Sequence, residues 1–256
     1  GSALGQPTGP LYVTASLFKL FGDSAHTVRF SMALLGTATI PAAYLAFAQM
    51  FNRRTAVFAA VILATMTWHV HLSRTGFMAI SWPLMEMMTL ALLWAAFRHR
   101  SIWLYLLAGA AFGLGVYTYN AYVLFVPLPF IALIWAFFRQ ARCERIRYVA
   151  LCAGFVAAAL LAAMPMLRYV DEHTWEYRYH QRQVSVQSSP AWKEADVRGR
   201  IEILRDRAQA LQQGLTTGGE DCGGRCYVID YGDGLGAPGV PVLGPLISVF
   251  AVVGLA

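Results

Sequence analysis

Charged residues are scarce in this chain of 256 residues, at 13% of the total against 57% hydrophobic residues. A water-soluble domain usually carries about 25% charged residues, so the composition excludes an ordinary soluble fold. Acids are rarest in the first part, because residues 1–167 contain three acids and eleven bases, whereas residues 168–256 contain eleven acids and nine bases. The first part is therefore predicted to be membrane and the second to be mostly aqueous.

The sequence also lacks an initiator methionine and a signal peptide, since Gly1-Ser2-Ala3 has neither a charged region nor an apolar one. We expect the natural chain to continue at both ends. The net charge of +6 does not indicate nucleic-acid binding, because most of the excess bases lie in short loops between apolar runs.

Long apolar runs are plentiful, and a helix needs roughly 18–21 such residues to cross about 30 Å of hydrocarbon. The runs are continuous rather than alternating, which excludes a membrane β-barrel. The predicted spans are residues 28–51, 55–72, 78–97, 102–119, 121–138 and 148–167, with a seventh beginning near 241. Small residues are dense at 108–115, which suits close helix packing. The sequence thus predicts an all-α, polytopic bundle of transmembrane helices.

The loops between these spans alternate in charge. Loops at 52–54, 97–100 and 139–147 hold eight bases and one acid, whereas joints at 73–77 and 119–121 hold a single arginine. Basic loops face the cytoplasm, so the joints, residues 1–27 and residues 168–240 are predicted to share the non-cytoplasmic face of an inner or plasma membrane. The six spans of residues 28–167 lie between these outer segments, and residues 241–256 begin the seventh.

The outer segments carry three local predictions. Residues from Leu11 to Gly22 are predicted to form a short interface helix that ends at the glycine. Residues 192–213 carry apolar side chains near helical spacing among charged ones, which predicts an amphipathic helix. The glycine-rich residues 214–239 are predicted to be a loop with one short strand at 226–230.

Cysteines are few, and two of the four lie four residues apart in the outer loop. Cys222 and Cys226 are predicted to form a disulfide, which an oxidising compartment permits. A zinc half-site is the alternative, but no second pair of ligands follows. Cys143 and Cys152 are interpreted as ordinary thiols.

Polar residues at the edge of a bilayer are costly and therefore mark candidate sites. Arginine offers a forked donor suited to phosphate, and histidine offers a donor or proton carrier near neutral pH. The outer helix ends thus predict a cavity for an anionic lipid headgroup such as a polyprenyl phosphate. Its predicted phosphate ligands are Arg74, Arg29, His71 and His69. Its predicted lining is Tyr117, Tyr119, Asn120 and Arg168, with Trp68 nearby.

These residues also have ordinary structural interpretations. Arg29 and Arg74 can extend to lipid phosphates at the interface, and tyrosine or tryptophan at helix ends is common in membrane proteins. His69 and His71 are two residues apart, so they are not expected to bind one metal together. No cofactor is predicted with certainty, and a divalent metal stays open. Glu86, alone inside the third span, has no predicted partner.

Four groups of residues occur in an order that resembles a known family. They are Pro10-Leu11-Tyr12 with Leu20-Phe21-Gly22, Arg29 and Leu35-Gly36; residues 68–77; residues 113–122; and Tyr231-Gly232-Asp233 followed by prolines. The chain resembles the C-type membrane glycosyltransferases, and within them the bacterial relatives of protein O-mannosyltransferases and of the lipid A aminoarabinose transferase.

The resemblance implies transfer of a sugar from a polyprenyl-phosphate donor to an acceptor at the outer face. The family's catalytic carboxylate precedes the interface helix, where Gly1 to Pro10 holds no acid, so we expect it upstream of residue 1. Asp23 lies on the wrong side of that helix. In several relatives a base near the third joint grips the donor phosphate. In this chain residues 117–120 stand at that joint and include no base, so Arg74 is the better candidate for binding the donor phosphate.

Three alternatives stay open at this point. A transporter or flippase of lipid-linked sugars needs intramembrane charges along a path, and Glu86 alone qualifies. A transferase similar to the O-antigen ligases has a different order of helices. A catalytically inactive structural paralogue lacks the upstream carboxylate.

Overall fold

The computed structural model describes residues 2–3, 6–177, 179 and 189–216. The predicted strand at 226–230, the Cys222–Cys226 disulfide and the span beginning near 241 lie outside the described residues and stay predictions. The chain divides into two compact units, residues 1–64 with 72–178 and residues 65–71 with 179–256. Each unit is described by itself below.

Helices make up most of the described chain. In order they are α1 Gly9–Phe21, α2 Ala25–Met50, α3 Arg53–Thr65, α4 Thr67–Thr75, α5 Ser81–His99, α6 Ile102–Gly115, α7 Pro127–Phe138, α8 Arg145–Glu172, α9 Pro190–Glu194 and α10 Val197–Thr216. Short 3₁₀ turns occupy Met78–Ile80, Asn120–Leu124 and Arg142–Glu144. Two short strands, β1 Ser2–Ala3 and β2 Gln6–Pro7, pair antiparallel before α1. The predicted all-α class is confirmed.

Four described segments are long and apolar enough to cross a membrane: Ala25–Met50, Met78–His99, Asn120–Phe138 and Arg142–Glu172. α3 and α4 together form a fifth candidate, which is bent by 53° at the break between them. α6 is apolar but only 14 residues long, which is about 21 Å of helix against roughly 30 Å of hydrocarbon. The chain is thus a multi-pass membrane protein, and the count of six spans stays a prediction.

The predicted fourth span extends to residue 119, whereas α6 ends at Gly115. Gly115 lies directly against the ring of Tyr122, and a Cβ at this glycine would overlap that ring. The Tyr122 hydroxyl donates to the carbonyl oxygen of Phe112 at 3.1 Å. The chain therefore turns away from α6 at 116–118 because the following 3₁₀ turn packs back onto the helix end.

The small residues of α6 bring it close to α8. A Cβ at Gly109 would overlap the carbonyl oxygen of Phe155, and a Cβ at Gly113 would overlap that of Ala159. The rings of Phe112 and Phe155 lie 5.6 Å apart in the adjoining core. Close packing through small residues is common between membrane helices, and the prediction for residues 108–115 is confirmed.

α1 packs on the first half of α2. The Thr14 and Ser31 hydroxyls lie 2.7 Å apart and share a hydrogen bond, and the rings of Phe21 and Phe30 meet edge to face at 5.8 Å. α1 ends at Gly22, whose φ of +81° is a conformation that glycine adopts without strain. The predicted short helix is confirmed, and its place in the membrane interface stays a prediction.

The arginine-rich end of the first unit comprises the loops that connect α2 to α3, α5 to α6 and α7 to α8. Arg98 donates to the carbonyl oxygen of Gln49 near the end of α2, at 3.3 Å. Arg100 and Glu144 form an ion pair at 2.5 Å. α8 begins at Arg145 and ends at Glu172, beyond the predicted 148–167 at both ends, because long polar side chains at a helix terminus reach water from outside the hydrocarbon.

In the second unit, the predicted amphipathic segment forms α9 and α10. Each helix starts at a capping side chain, since Ser189 accepts from the Trp192 N–H at 3.3 Å and Asp196 accepts from the Gly199 N–H at 2.8 Å. Such caps begin a helix because they satisfy its unpaired N–H groups. Arg200 lies over the Trp192 ring at 5.6 Å. The predicted amphipathic helix is confirmed, with a break at the Asp196 cap.

Candidate functional site

The joint between α4 and α5 meets the start of α2. Gly76 has a φ of +80° and ends α4. A Cβ at Gly76 would lie 3.3 Å from Cγ1 of Val28 and 3.8 Å from Cγ of Arg29. Arg74 precedes this glycine by two residues, so Arg29 and Arg74 both extend from the corner at Gly76. Both side chains are exposed.

The two arginines of this corner are available to bind an anion. Within the described residues, no hydrogen bond or ion pair engages the guanidinium of Arg29, Arg74 or Arg168. Arg74 is in the last turn of α4, where a cation is favourable beside the helix dipole. Arg29 is the fifth residue of α2, where the positive helix terminus disfavours a cation. An anion bound there would interact favourably with both Arg29 and the helix terminus.

The joint after α6 lies against this corner through aromatic contacts. The Tyr119 ring meets the Phe77 ring edge to face at 5.8 Å and lies 6.2 Å from the Trp82 ring. Phe77 follows Gly76 directly, so Tyr119 contacts the segment that follows the corner. Trp82 was not among the sequence candidates, although its position in the first turn of α5 places it at a predicted outer helix end.

Tyr117 joins three parts of the fold. Its carbonyl oxygen accepts from the Gly9 N–H at the start of α1, at 2.9 Å. Its hydroxyl donates to the Ala162 carbonyl oxygen at 3.0 Å and accepts from the Met166 N–H at 3.1 Å. These two groups are one helical turn apart in α8 and flank Pro165, which has no N–H to donate. Tyr117 therefore positions the joint by its contact with α8.

Two other candidates lie near this joint. Asn120 begins the 3₁₀ turn Asn120–Leu124. Arg168 lies on α8, two residues after Met166, and its side chain is exposed. Because Tyr117 contacts that part of α8, the joint connects the end of α8 with the corner at Gly76.

The two histidines of α4 differ in their surroundings. His69 is 7% exposed. His71 is half-buried, and its Nε2 atom is shielded from solvent with no hydrogen-bond partner in the described part of the chain. Since an enclosed polar atom without a partner is costly, His71 is the better ligand candidate.

Glu86 is half-buried in α5. It lies one helical turn after Trp82, whose ring is 6.2 Å from the Tyr119 ring. Among the residues that the structure describes, no group of three or more His, Cys, Asp or Glu side chains is arranged to hold a metal ion.

The family model of the dolichyl-phosphate-mannose-protein mannosyltransferases matches residues 5–169, well over half of the chain. That match contains every candidate described above, from the start of α1 to Arg168. The chain belongs to this family. No curated protein and no solved structure gives a further match.

Membership of the mannosyltransferase family confirms the resemblance to the C-type glycosyltransferases. The family consists of membrane glycosyltransferases that use polyprenyl-phosphate-linked sugars as donors, which agrees with the multi-pass fold. A lipid donor of this kind has one phosphate close to the membrane surface. The unpaired arginines at the helix ends offer the charge that such a phosphate requires.

Proposed function

We propose that this protein moves a sugar from a polyprenyl-phosphate donor to an acceptor at the non-cytoplasmic face of the membrane. The family match supports the class of reaction. The bases concentrated in the loops at 52–54, 97–100 and 139–147 support the choice of face. The observation that supports the site is the corner at Gly76, where Arg29 and Arg74 are exposed, have no partner among the described residues, and precede a contact between Phe77 and Tyr119.

The proposed reaction requires cations that stabilise the leaving phosphate. The bond between the sugar carbon and the phosphate oxygen breaks, and the departing polyprenyl phosphate gains negative charge. Arg74 and Arg29 stabilise that charge by charge-assisted hydrogen bonds, and the start of α2 adds its positive terminus. Tyr117, Tyr119, Asn120 and Arg168 complete the proposed lining of the site.

The acceptor hydroxyl needs a carboxylate to take its proton. We assign none of the described acids to that step, because Glu86 lies inside α5 and Asp23 is exposed beyond the end of α1. The residues proposed here serve the donor side of the reaction.

Substitution of Arg74 tests the donor site. A charge-assisted hydrogen bond is worth roughly 1.5–3 kcal/mol, so Arg74→Ala is expected to slow transfer by about ten- to a hundred-fold. Arg74→Lys should recover only part of the rate, because a point charge cannot reproduce the forked guanidinium. The measurement is sugar transfer by the full-length protein at matched membrane abundance.

Arg54→Ala is the matched control, since Arg54 is also exposed but lies at the arginine-rich end. It should leave the transfer rate unchanged. If Arg74 only contacts lipid headgroups, Arg74→Ala, Arg74→Lys and the control should all transfer sugar at the rate of the parent protein. That result would remove Arg74 from the site.

A double substitution tests whether the two arginines hold one phosphate. If Arg29 and Arg74 bind the same group, Arg29→Ala should slow transfer strongly in the parent and much less in the Arg74→Ala background, because residues that share a partner are not additive. Fully additive effects would place the two arginines on different groups.

A further inference from the structure

A pocket at the arginine-rich end of the first unit has no part in the proposed function. It is a shallow groove among the ends of α5, α6 and α8 and the loop before α8. Arg100, Arg147, Gln140 and Glu144 line the rim, and Tyr105 and Tyr148 line the floor. The pocket thus combines a cationic rim with an aromatic floor.

The rim holds one fixed arginine and one unpaired arginine. Arg100 is paired with Glu144 at 2.5 Å. Arg100 also has a φ of +50°, a left-handed conformation that favours glycine or asparagine at the end of a helix. An arginine kept in such a conformation points to a role for its side chain. No residue in the described ranges pairs with the guanidinium of Arg147.

The floor is rigid and already formed. Tyr105 is 1% exposed and Tyr148 is 6% exposed, and their rings meet edge to face at 6.3 Å. The Tyr148 hydroxyl donates to the Leu133 carbonyl oxygen of α7 at 2.9 Å. A ligand that enters the pocket therefore needs little rearrangement of the protein, which favours binding.

Exposed apolar residues near the pocket indicate that its mouth lies in the lipid interface. Trp103 is 72% exposed near the start of α6, and Ile146 is 85% exposed near the start of α8. In a membrane protein, large apolar side chains at such helix ends lie in the lipid interface. The mouth of the pocket is therefore at the depth of lipid headgroups, where the available anion is the phosphate of a phospholipid.

We propose that this pocket binds the phosphate group of a phospholipid, with Arg147 as the main ligand and Arg100 as the second. Glu144 neutralises part of the charge of Arg100 and holds it at the rim, which leaves Arg147 as the cation without a counter-ion. Basic pockets between membrane helices bind anionic headgroups in this way. The proposal does not depend on the transfer reaction, because none of these residues belongs to the corner at Gly76.

The test compares two exposed arginines near the start of α8. Arg147 lines the pocket, whereas Arg142 does not. The full-length protein in detergent is titrated with phosphatidylglycerol, and bound lipid is counted by native mass spectrometry. Arg147→Ala is expected to weaken the tightest binding event by about ten- to a hundred-fold, whereas Arg142→Ala should change it by less than about two-fold. Arg147→Lys should retain part of the binding.

Equal losses in Arg147→Ala and Arg142→Ala would overturn the proposal, because a diffuse attraction of basic loops to anionic lipid treats both arginines alike. Competition with inorganic phosphate tests whether the pocket binds the phosphate of a lipid or a free phosphate compound. Millimolar phosphate should leave bound phosphatidylglycerol in place, and displacement of the lipid would assign the pocket to a free phosphate compound instead. An unchanged elution profile in size-exclusion chromatography establishes that each variant is folded.

Discussion

Gly109→Ala adds one methyl group where α6 meets α8. A Cβ at this position would overlap the carbonyl oxygen of Phe155 and lie 2.9 Å from its carbonyl carbon. Non-bonded carbon atoms prefer separations of about 3.5–4.0 Å. The obstacle is the backbone of α8, which cannot rotate away as a side chain can. The two helices therefore have to separate by roughly 1 Å, which loosens the aromatic core beside them.

Gly154→Ala is a matched control in the same helix pair. A Cβ at Gly154 would lie 2.8 Å from Cδ1 of Ile102, which is the far end of a flexible side chain and can move aside. Both changes replace a helical glycine by alanine, so the intrinsic gain of about 1 kcal/mol in helix propensity cancels in the comparison. The difference that remains is the cost of over-packing, which is typically about 1–3 kcal/mol.

Thermal unfolding in detergent measures this difference. For a protein of this size, 1 kcal/mol corresponds to roughly 2–4 °C in Tm, so Gly109→Ala should melt roughly 2–12 °C below Gly154→Ala. The readout is the fraction of full-length protein that elutes as a single folded peak after heating. Equal midpoints for the two variants would refute the close approach of α6 to α8.

Two further predictions follow from the joints and the loops. Tyr117→Phe removes two hydrogen bonds to α8 and should lower the Tm by a few degrees. Tyr119→Phe is the control and should leave the Tm unchanged, because the Tyr119 hydroxyl makes no hydrogen bond within the described chain. Equal Tm values for the two variants would show that the contact of Tyr117 with α8 does not stabilise the fold. Reporter fusions after Arg100 should be cytoplasmic and fusions after Asn120 should lie on the opposite side; the same result at both positions would contradict the orientation.

Most residues of the proposed site are candidates from the sequence alone. Arg29 and Arg74 stand out because charge is rare in residues 1–167, and their places at the ends of apolar runs predict that they share one face. Trp82 and Glu86 were harder to assign. A tryptophan at a helix end is ordinary in a membrane protein, and the contact of Trp82 with Tyr119 joins residues that are far apart in the sequence.

The sequence by itself determined the all-α membrane class, the charge asymmetry of the loops and the family. These properties depend on hydrophobicity, charge and motifs that are local along the chain. The tertiary structure decided which helix ends meet: Gly76 with Arg29, Phe77 with Tyr119, and Tyr117 with α8. Those contacts depend on how each helix is rotated and how closely it packs, which side chains distant in sequence determine together.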